Sequence, residues 1–308
     1  MRALVTGATG FVGSHLTEHL VREGIPVAIL RRPEGDPWRI RHLLPSLLTI
    51  EGNVNALEPS RAAIEVFHPD TVFHLAWHGT GNQYRNEDAQ VHRNLNGSLD
   101  LAKLARDLGC KTFVGLGSQA EYGPWDRKID EEALPNPTTM YGAAKLSAYH
   151  LIRQVASDSD MRFAWMRLFS TYGPKDNTQP MIPTLIEALL RRERPSLTRG
   201  EQRWDYIFVS DVASALLDVA GCPAATGVFN LGSGQAIPLR CIVEAIGDLI
   251  DPTLPLGFGE VPYRPDQVMH LEADIAKLKQ ITGWKPRVDL ADGLRQTVQW
   301  HRRTDFDE

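Results

Sequence analysis

The sequence is short of cysteine, of long apolar runs and of excess positive charge, and each shortage excludes a class of protein. Cys110, Cys222 and Cys241 are the only thiols among 308 residues. Odd in number and far apart, they offer neither a disulfide framework nor zinc-ligand spacing. The ten histidines contain no His-Glu-x-x-His and no evident cluster, so no metal is expected. No apolar stretch approaches the ~20 residues needed to cross a bilayer. The first strand-like run starts at Ala3, which leaves no room ahead of it for a signal peptide. A cytoplasmic chain with no membrane partner is expected. The formal net charge of -5 also argues against a nucleic-acid partner, which would call for a basic face.

What is present is an ordinary globular composition, 43% hydrophobic and 23% charged. Short apolar runs at Ala3–Thr6, Val27–Leu30, Leu48–Glu51, Thr71–Leu75, Thr112–Leu116 and Arg162–Leu168 read as strands. Helix-length segments separate them at Gly13–Glu23, Glu58–Phe67, Val91–Leu108 and Tyr141–Asp158. Such alternation predicts an α/β fold with a doubly wound parallel sheet. Beyond Leu168, loops rich in Pro, Gly and charge take over. The expected division is a dinucleotide-binding domain over 1–168 and a smaller α/β substrate lobe over 169–308. Strands at Tyr206–Val209 and Val228–Leu231 are expected to return, in part, to the main sheet. Two amphipathic helices with a turn at Gly283 close the chain.

Gly7, Gly10 and Gly13 lie in TGATGFVG, after the first strand and at the start of the first helix. Glycines let the main chain approach a pyrophosphate, and the helix start offers unpaired N–H groups and partial positive charge. In a strand–turn–helix context this is a Rossmann-type dinucleotide signature. At the end of the second strand, where an acid would hold the ribose of NAD, stand Arg31 and Arg32. Arginine suits a 2′-phosphate, so NADP(H) is favoured and NAD(H) is the alternative.

Tyr141 and Lys145 are four apart in YGAAK and share a helix face. A phenol with a pKa of ~10 is a poor base. A nearby ammonium favours phenolate, so the tyrosine could exchange a proton with a substrate oxygen as hydride moves. Around this pair the chain carries HLAW (His74–Trp77), GSQAEYG (Gly117–Gly123), RLFSTYGP (Arg167–Pro174), WDYIFVSDVA (Trp204–Ala213), FNLGSG (Phe229–Gly234) and YRPD (Tyr263–Asp266). Over nearly its whole length it therefore resembles the extended short-chain dehydrogenase/reductase family of nucleotide-sugar epimerases, dehydratases and 4-ketoreductases.

That resemblance implies Ser118, Tyr141 and Lys145 as the catalytic residues, with Ser118 four places before the tyrosine of Tyr122–Gly123. It implies cofactor contacts from Thr9, Phe11, Val12, Asn53, Val54, Leu75, Ala76, Trp77 and Asn94 beside the glycines, the two arginines, Tyr141 and Lys145. On the substrate side it implies Gln119, Glu121, Ser170, Arg203 and Arg264, with a solvated loop acid as the alternative for Glu121. Trp77, His78 and Tyr84 either shape the sugar pocket or pack as aromatics.

The chain also departs from the family. Gln119 and Ala120 stand where its dehydratases carry an acid, and Glu121 is one place too late. The arginine–aspartate–tyrosine motif, whose arginine holds a diphosphate, reads Trp204–Asp205–Tyr206, with Arg203 one place early. The expected activity is reduction of a nucleotide-linked 4-keto-6-deoxyhexose. An epimerase with tightly held NAD is the alternative, followed by a dehydratase and a non-catalytic dinucleotide-binding regulator. By the same resemblance, the helices at Val91–Leu108 and Tyr141–Asp158 imply a homodimer.

Overall fold

The structure, a computed structural model, describes residues 1–304. The first half runs β1 (Ala3–Thr6), α1 (Phe11–Arg22), β2 (Val27–Arg31), β3 (Leu48–Glu51), α2 (Glu58–Phe67), β4 (Thr71–His74), α3 (Ala89–His92), α4 (Leu95–Asp107), β5 (Thr112–Ser118), α5 (Met140–Ser157) and β6 (Arg162–Leu168). The rest runs β7 (Ser170–Tyr172), α6 (Met181–Leu190), β8 (Ser196–Leu197), β9 (Arg203–Phe208), α7 (Val209–Gly221), β10 (Gly227–Leu231), β11 (Ala236–Pro238), α8 (Leu239–Ile250), β12 (Gly257–Phe258), β13 (His270–Leu271), α9 (Ala276–Thr282) and α10 (Leu290–Thr304).

Both β1 and β4 are buried at every position, as strands covered on two faces must be. They form the centre of a seven-stranded parallel sheet ordered β10-β6-β5-β4-β1-β2-β3. One apolar layer on this sheet contains Leu16 and Leu20 of α1 with Val212, Leu216 and Val219 of α7. The other contains Ile64 of α2, Leu101 and Leu104 of α4, and Ile152 of α5. Strand order reverses between β1 and β4, which opens a crevice at their carboxyl ends, the ligand position of such sheets. Among the described residues, no helix is long and apolar enough to cross a membrane.

Two sequence expectations change. The run Tyr206–Val209 does not join the main sheet. Its strand, β9, pairs with β7, β11 and β13 in a second, smaller sheet, while β10 takes the free edge of β6. Only Gly227–Leu231 returns to the main sheet. The single helix expected over Val91–Leu108 is broken at Arg93–Asn94. The Asn94 amide donates to the Gln90 carbonyl at 3.0 Å and its oxygen accepts the His78 N–H at 2.7 Å. A side chain that binds nearby main-chain groups in this way competes with the helical ladder. The turn at Gly283 is present, in the left-handed region at φ 75°.

Candidate active site

The turn from β1 into α1 has the geometry of a phosphate cradle. Gly7 sits at φ +76°, and a Cβ there would stand 2.6 Å from the Ala76 nitrogen. A Cβ on Gly13 would overlap the Gly7 carbonyl oxygen. Gly10 caps α1 without a side chain, so the first-turn N–H groups of Phe11, Val12 and Gly13 remain available to a ligand. These features fit a dinucleotide pyrophosphate. Leu75 and Ala76 fasten the opposite wall, their N–H groups donating to the Thr6 carbonyl and hydroxyl at 3.1 and 3.4 Å. His74 is buried between Thr6 and Ser98, with 2.8 Å contacts to both hydroxyls. Burial and the nearby Lys145 charge push its pKa down to about 3, so the ring is a neutral bridge.

The structure separates the two arginines after β2. Arg31 folds back to donate to the Gly35 carbonyl at 3.0 Å and pairs with Glu51 at the end of β3, at 3.3 Å. Arg32 is exposed. A third arginine, which sequence reading missed, touches the glycine turn. Arg39 donates to the carbonyls of Thr9 at 3.4 Å and Lys175 at 2.7 Å, and to the Asn177 side chain at 2.9 Å. It ties the turn to the loop after β7. Asn53 accepts the Asn55 N–H at 3.0 Å. Val54 lies against Gly97 of α4, where a Cβ would come within 3.0 Å of the Val54 carbonyl. Asn94, with its polar atoms spent on His78 and Gln90, secures the loop after β4.

Ser118, Tyr141 and Lys145 converge where β5 meets α5. All three are buried. The α5 start is well capped. The Thr139 hydroxyl accepts from Gly142 at 3.1 Å, the Asn86 side chain accepts from Met140 at 3.3 Å, and the Arg85 carbonyl accepts from Tyr141 at 2.8 Å. One turn on, Lys145 Nζ donates to the Leu116 carbonyl at 2.7 Å and lies 3.8 Å from the Trp77 ring centre. Trp77 meets the Tyr141 ring edge-on at 6.2 Å and donates its indole N–H to Gln90 at 2.9 Å. The Ser118 hydroxyl accepts the Ala120 N–H at 3.2 Å, which leaves its proton to be donated elsewhere.

The electrostatics differ from the sequence expectation. Burial raises the Tyr141 pKa, against the opposing effects of a Ser118 hydrogen bond and the Arg85 charge. Burial likewise pushes Lys145 down to about 7, with Glu121 working in the other direction. Here desolvation outweighs the Ser118 hydrogen bond and the Arg85 charge, and the phenol is held protonated.

Glu121, expected on the substrate side or as a solvated loop acid, does not face solvent. It is fully buried beneath the site. One carboxylate oxygen accepts the Ser118 N–H at 2.8 Å and the Trp165 indole N–H at 2.9 Å, and the other accepts Arg167 Nε at 2.8 Å. Arg167 is itself buried and lies over the Tyr122 ring at 4.3 Å. The room for this group comes from Gly115 and Gly117, where a Cβ would strike Trp165 at the first and both Trp165 and Glu121 at the second. The alternating glycines of VGLGS were its one signal in the sequence.

On the substrate side, Gln119 and Ser170 are half-buried near the carboxyl ends of β5 and β6. Arg203 does not replace the arginine missing at 204. It is one step along β9, and adjacent side chains on a strand leave opposite faces. Its guanidinium donates to the Ala236 carbonyl at 2.7 Å. Trp204 instead stacks with Tyr206 at 6.3 Å. Asp205 is a buried anchor, accepting N–H groups from Ser233 at 2.6 Å, Gly234 at 2.9 Å and Ala273 at 3.1 Å. Arg264 is 63% exposed and 3.8 Å from Asp266.

Comparison with known proteins agrees with this fold. The profile of the NAD-dependent epimerase/dehydratase family matches residues 3–232. The chain is 27% identical to the GDP-6-deoxy-D-mannose reductase of Pseudomonas aeruginosa, over 98% of each chain. Its structure is similar to UDP-glucose 4-epimerase of Thermotoga maritima, solved with UDP-glucose, at a TM-score of 0.89, 26% identity and 99% coverage of each chain. It is also similar to MoeE5 in complex with UDP-glucuronic acid and NAD, at a TM-score of 0.85 and 30% identity, over 99% of this chain and all of that one, 100%.

Proposed function

Because the chain belongs to the NAD-dependent epimerase/dehydratase family, we propose that it reduces the 4-keto group of a nucleotide-linked 6-deoxyhexose, with NADPH as donor. The observation that carries this reading is the convergence of Ser118, Tyr141 and Lys145 at the carboxyl end of β5, across from the glycine turn. Similarity to a GDP-6-deoxy-D-mannose reductase and to two proteins solved with UDP-sugars supports a nucleotide sugar as substrate.

The Gly7–Gly13 turn would hold the dinucleotide, which when bound would provide the hydride for the sugar carbon. Tyr141 gives the phenolic proton to the oxygen that becomes the new hydroxyl. Ser118, its lone pair engaged by Ala120, donates a second hydrogen bond to that oxygen and steadies the developing charge. Lys145, fixed by the Leu116 carbonyl, lies on the same helix face and favours the phenolate left behind. The raised Tyr141 pKa suits this direction, because reduction consumes the protonated phenol. Dehydration would need an acid to protonate the leaving hydroxyl, and Gln119 and Ala120 provide none there.

An epimerase that retains NAD is the second reading, and one observation favours it. Arg31 is already paired with Glu51, which leaves Arg32 as the only one of the two without a carboxylate partner for a 2′-phosphate. The test is to release and identify any dinucleotide from purified protein, titrate the emptied protein with NADPH and NADH, and then assay Tyr141→Phe. The reductase reading expects little retained cofactor, preference for NADPH, and loss of hydride transfer in the variant with dinucleotide binding intact. Tightly retained NAD would move the assignment to the epimerase. Wild-type turnover in Tyr141→Phe would overturn both.

A further inference from the structure

Arg85 lies in the loop between β4 and α3. The loop is fastened to the start of α5, with the Arg85 carbonyl on the Tyr141 N–H and Asn86 on the Met140 N–H. This places the Arg85 guanidinium carbon 6.0 Å from the centre of the Tyr141 ring. Arg85 is half-buried, its Nε is buried without a hydrogen-bond partner, and among the described residues no carboxylate pairs with it. Other cations are spent differently. Lys145 is on a carbonyl, Arg31 on Glu51, Arg167 on Glu121 and Arg39 on main-chain oxygens and Asn177.

A buried guanidinium donor left unpaired costs free energy, and a carboxylate or phosphate oxygen matches its planar fork. We infer that Arg85 is a substrate-binding residue that takes an oxyanion of the substrate on the Tyr141 side of the site. The oxyanion comes from the diphosphate that links sugar to nucleoside or, should the sugar be a uronic acid in place of the proposed 6-deoxyhexose, from its carboxylate. The inference rests on the nucleotide-sugar reading for the identity of the ligand, not for the charge of the group bound.

The experiment measures binding by calorimetry on the intact, cofactor-loaded protein and its Arg85→Gln and Arg85→Lys variants. Probes are UDP, CDP, GDP and dTDP, then the glucose and glucuronic acid conjugates of whichever nucleotide binds. Charge-assisted bonds to one guanidinium predict that Arg85→Gln weakens binding by about 10- to 100-fold. Arg85→Lys should recover part of the loss. A loss already seen with the bare diphosphate assigns the phosphate as the source. A loss confined to the glucuronic acid conjugate assigns the sugar carboxylate. Equal affinities in wild type and Arg85→Gln, with unchanged thermal stability and dinucleotide affinity, would overturn the inference. If wild type ignores every nucleotide yet binds pyrophosphate or glucuronate in an Arg85-dependent way, the inference stands and the nucleotide-sugar reading falls.

Discussion

Replacing Glu121 with Gln removes one charge and almost no volume from beneath the candidate catalytic serine. The amide keeps an oxygen for the Ser118 and Trp165 N–H groups, but Arg167, with a side chain only 3% exposed, loses its counter-charge. Breaking a buried pair in this way costs about 3–5 kcal/mol, and the retained hydrogen bonds place Glu121→Gln at the lower end. At roughly 2.1 cal/mol/K of unfolding entropy per residue, a chain of this size loses ~1.5 °C per kcal/mol, so Tm should fall by about 5 °C. Thermal melts of wild type, Glu121→Gln, Arg167→Met and the double variant measure this directly. The double variant should melt above the sum of the single losses, because the two sites share one interaction. Steady-state kinetics give a second readout. Loss of the Glu121 charge lowers the Lys145 pKa further, so the alkaline limb of kcat should move to lower pH while KM changes little. If Glu121 touched substrate instead, KM would rise with Tm unchanged, and that pattern would refute the buried-pair account.

Two further predictions rest on separate parts of the sheet. Glu51→Gln frees Arg31 from its ion pair at the end of β3 and should raise the preference for NADPH over NADH by about tenfold, measured as a ratio of dissociation constants; an unchanged ratio would remove Arg31 from cofactor selection. For His74, the folded pKa of about 3 lies below the usual 6.5, so its neutral bridge stabilises the fold fully above pH 6.5 and progressively less as pH falls toward 3. Between pH 6.5 and 5 wild type should lose roughly 2 kcal/mol more than His74→Gln, by denaturant unfolding at each pH, and parallel losses would contradict a buried neutral ring.

Local pattern was enough for the parallel sheet, for the glycine turn and for the pairing of Tyr141 with Lys145. Each depends on neighbours in the chain: apolar runs of strand length, Gly7 to Gly13 between strand and helix, and two residues one helical turn apart. The departures from family pattern at 119, 120 and 204 were legible for the same reason. Side-chain partners distant in sequence were not. Whether Glu121 faced the substrate or Arg167 depended on β6 lying beside β5 and on Trp165 filling the space over two glycines. Whether Arg31 was open to a phosphate depended on β3 bringing Glu51 alongside. Arg85 became notable only when its loop docked on α5 and left its Nε buried without an acceptor. The sequence by itself determined which elements form and which chemical groups the crevice can draw on, because backbone propensity and apolar periodicity are local. Only the tertiary structure decided which charges neutralise one another and which remain to meet a ligand, because burial and ion pairing belong to groups that folding brings together.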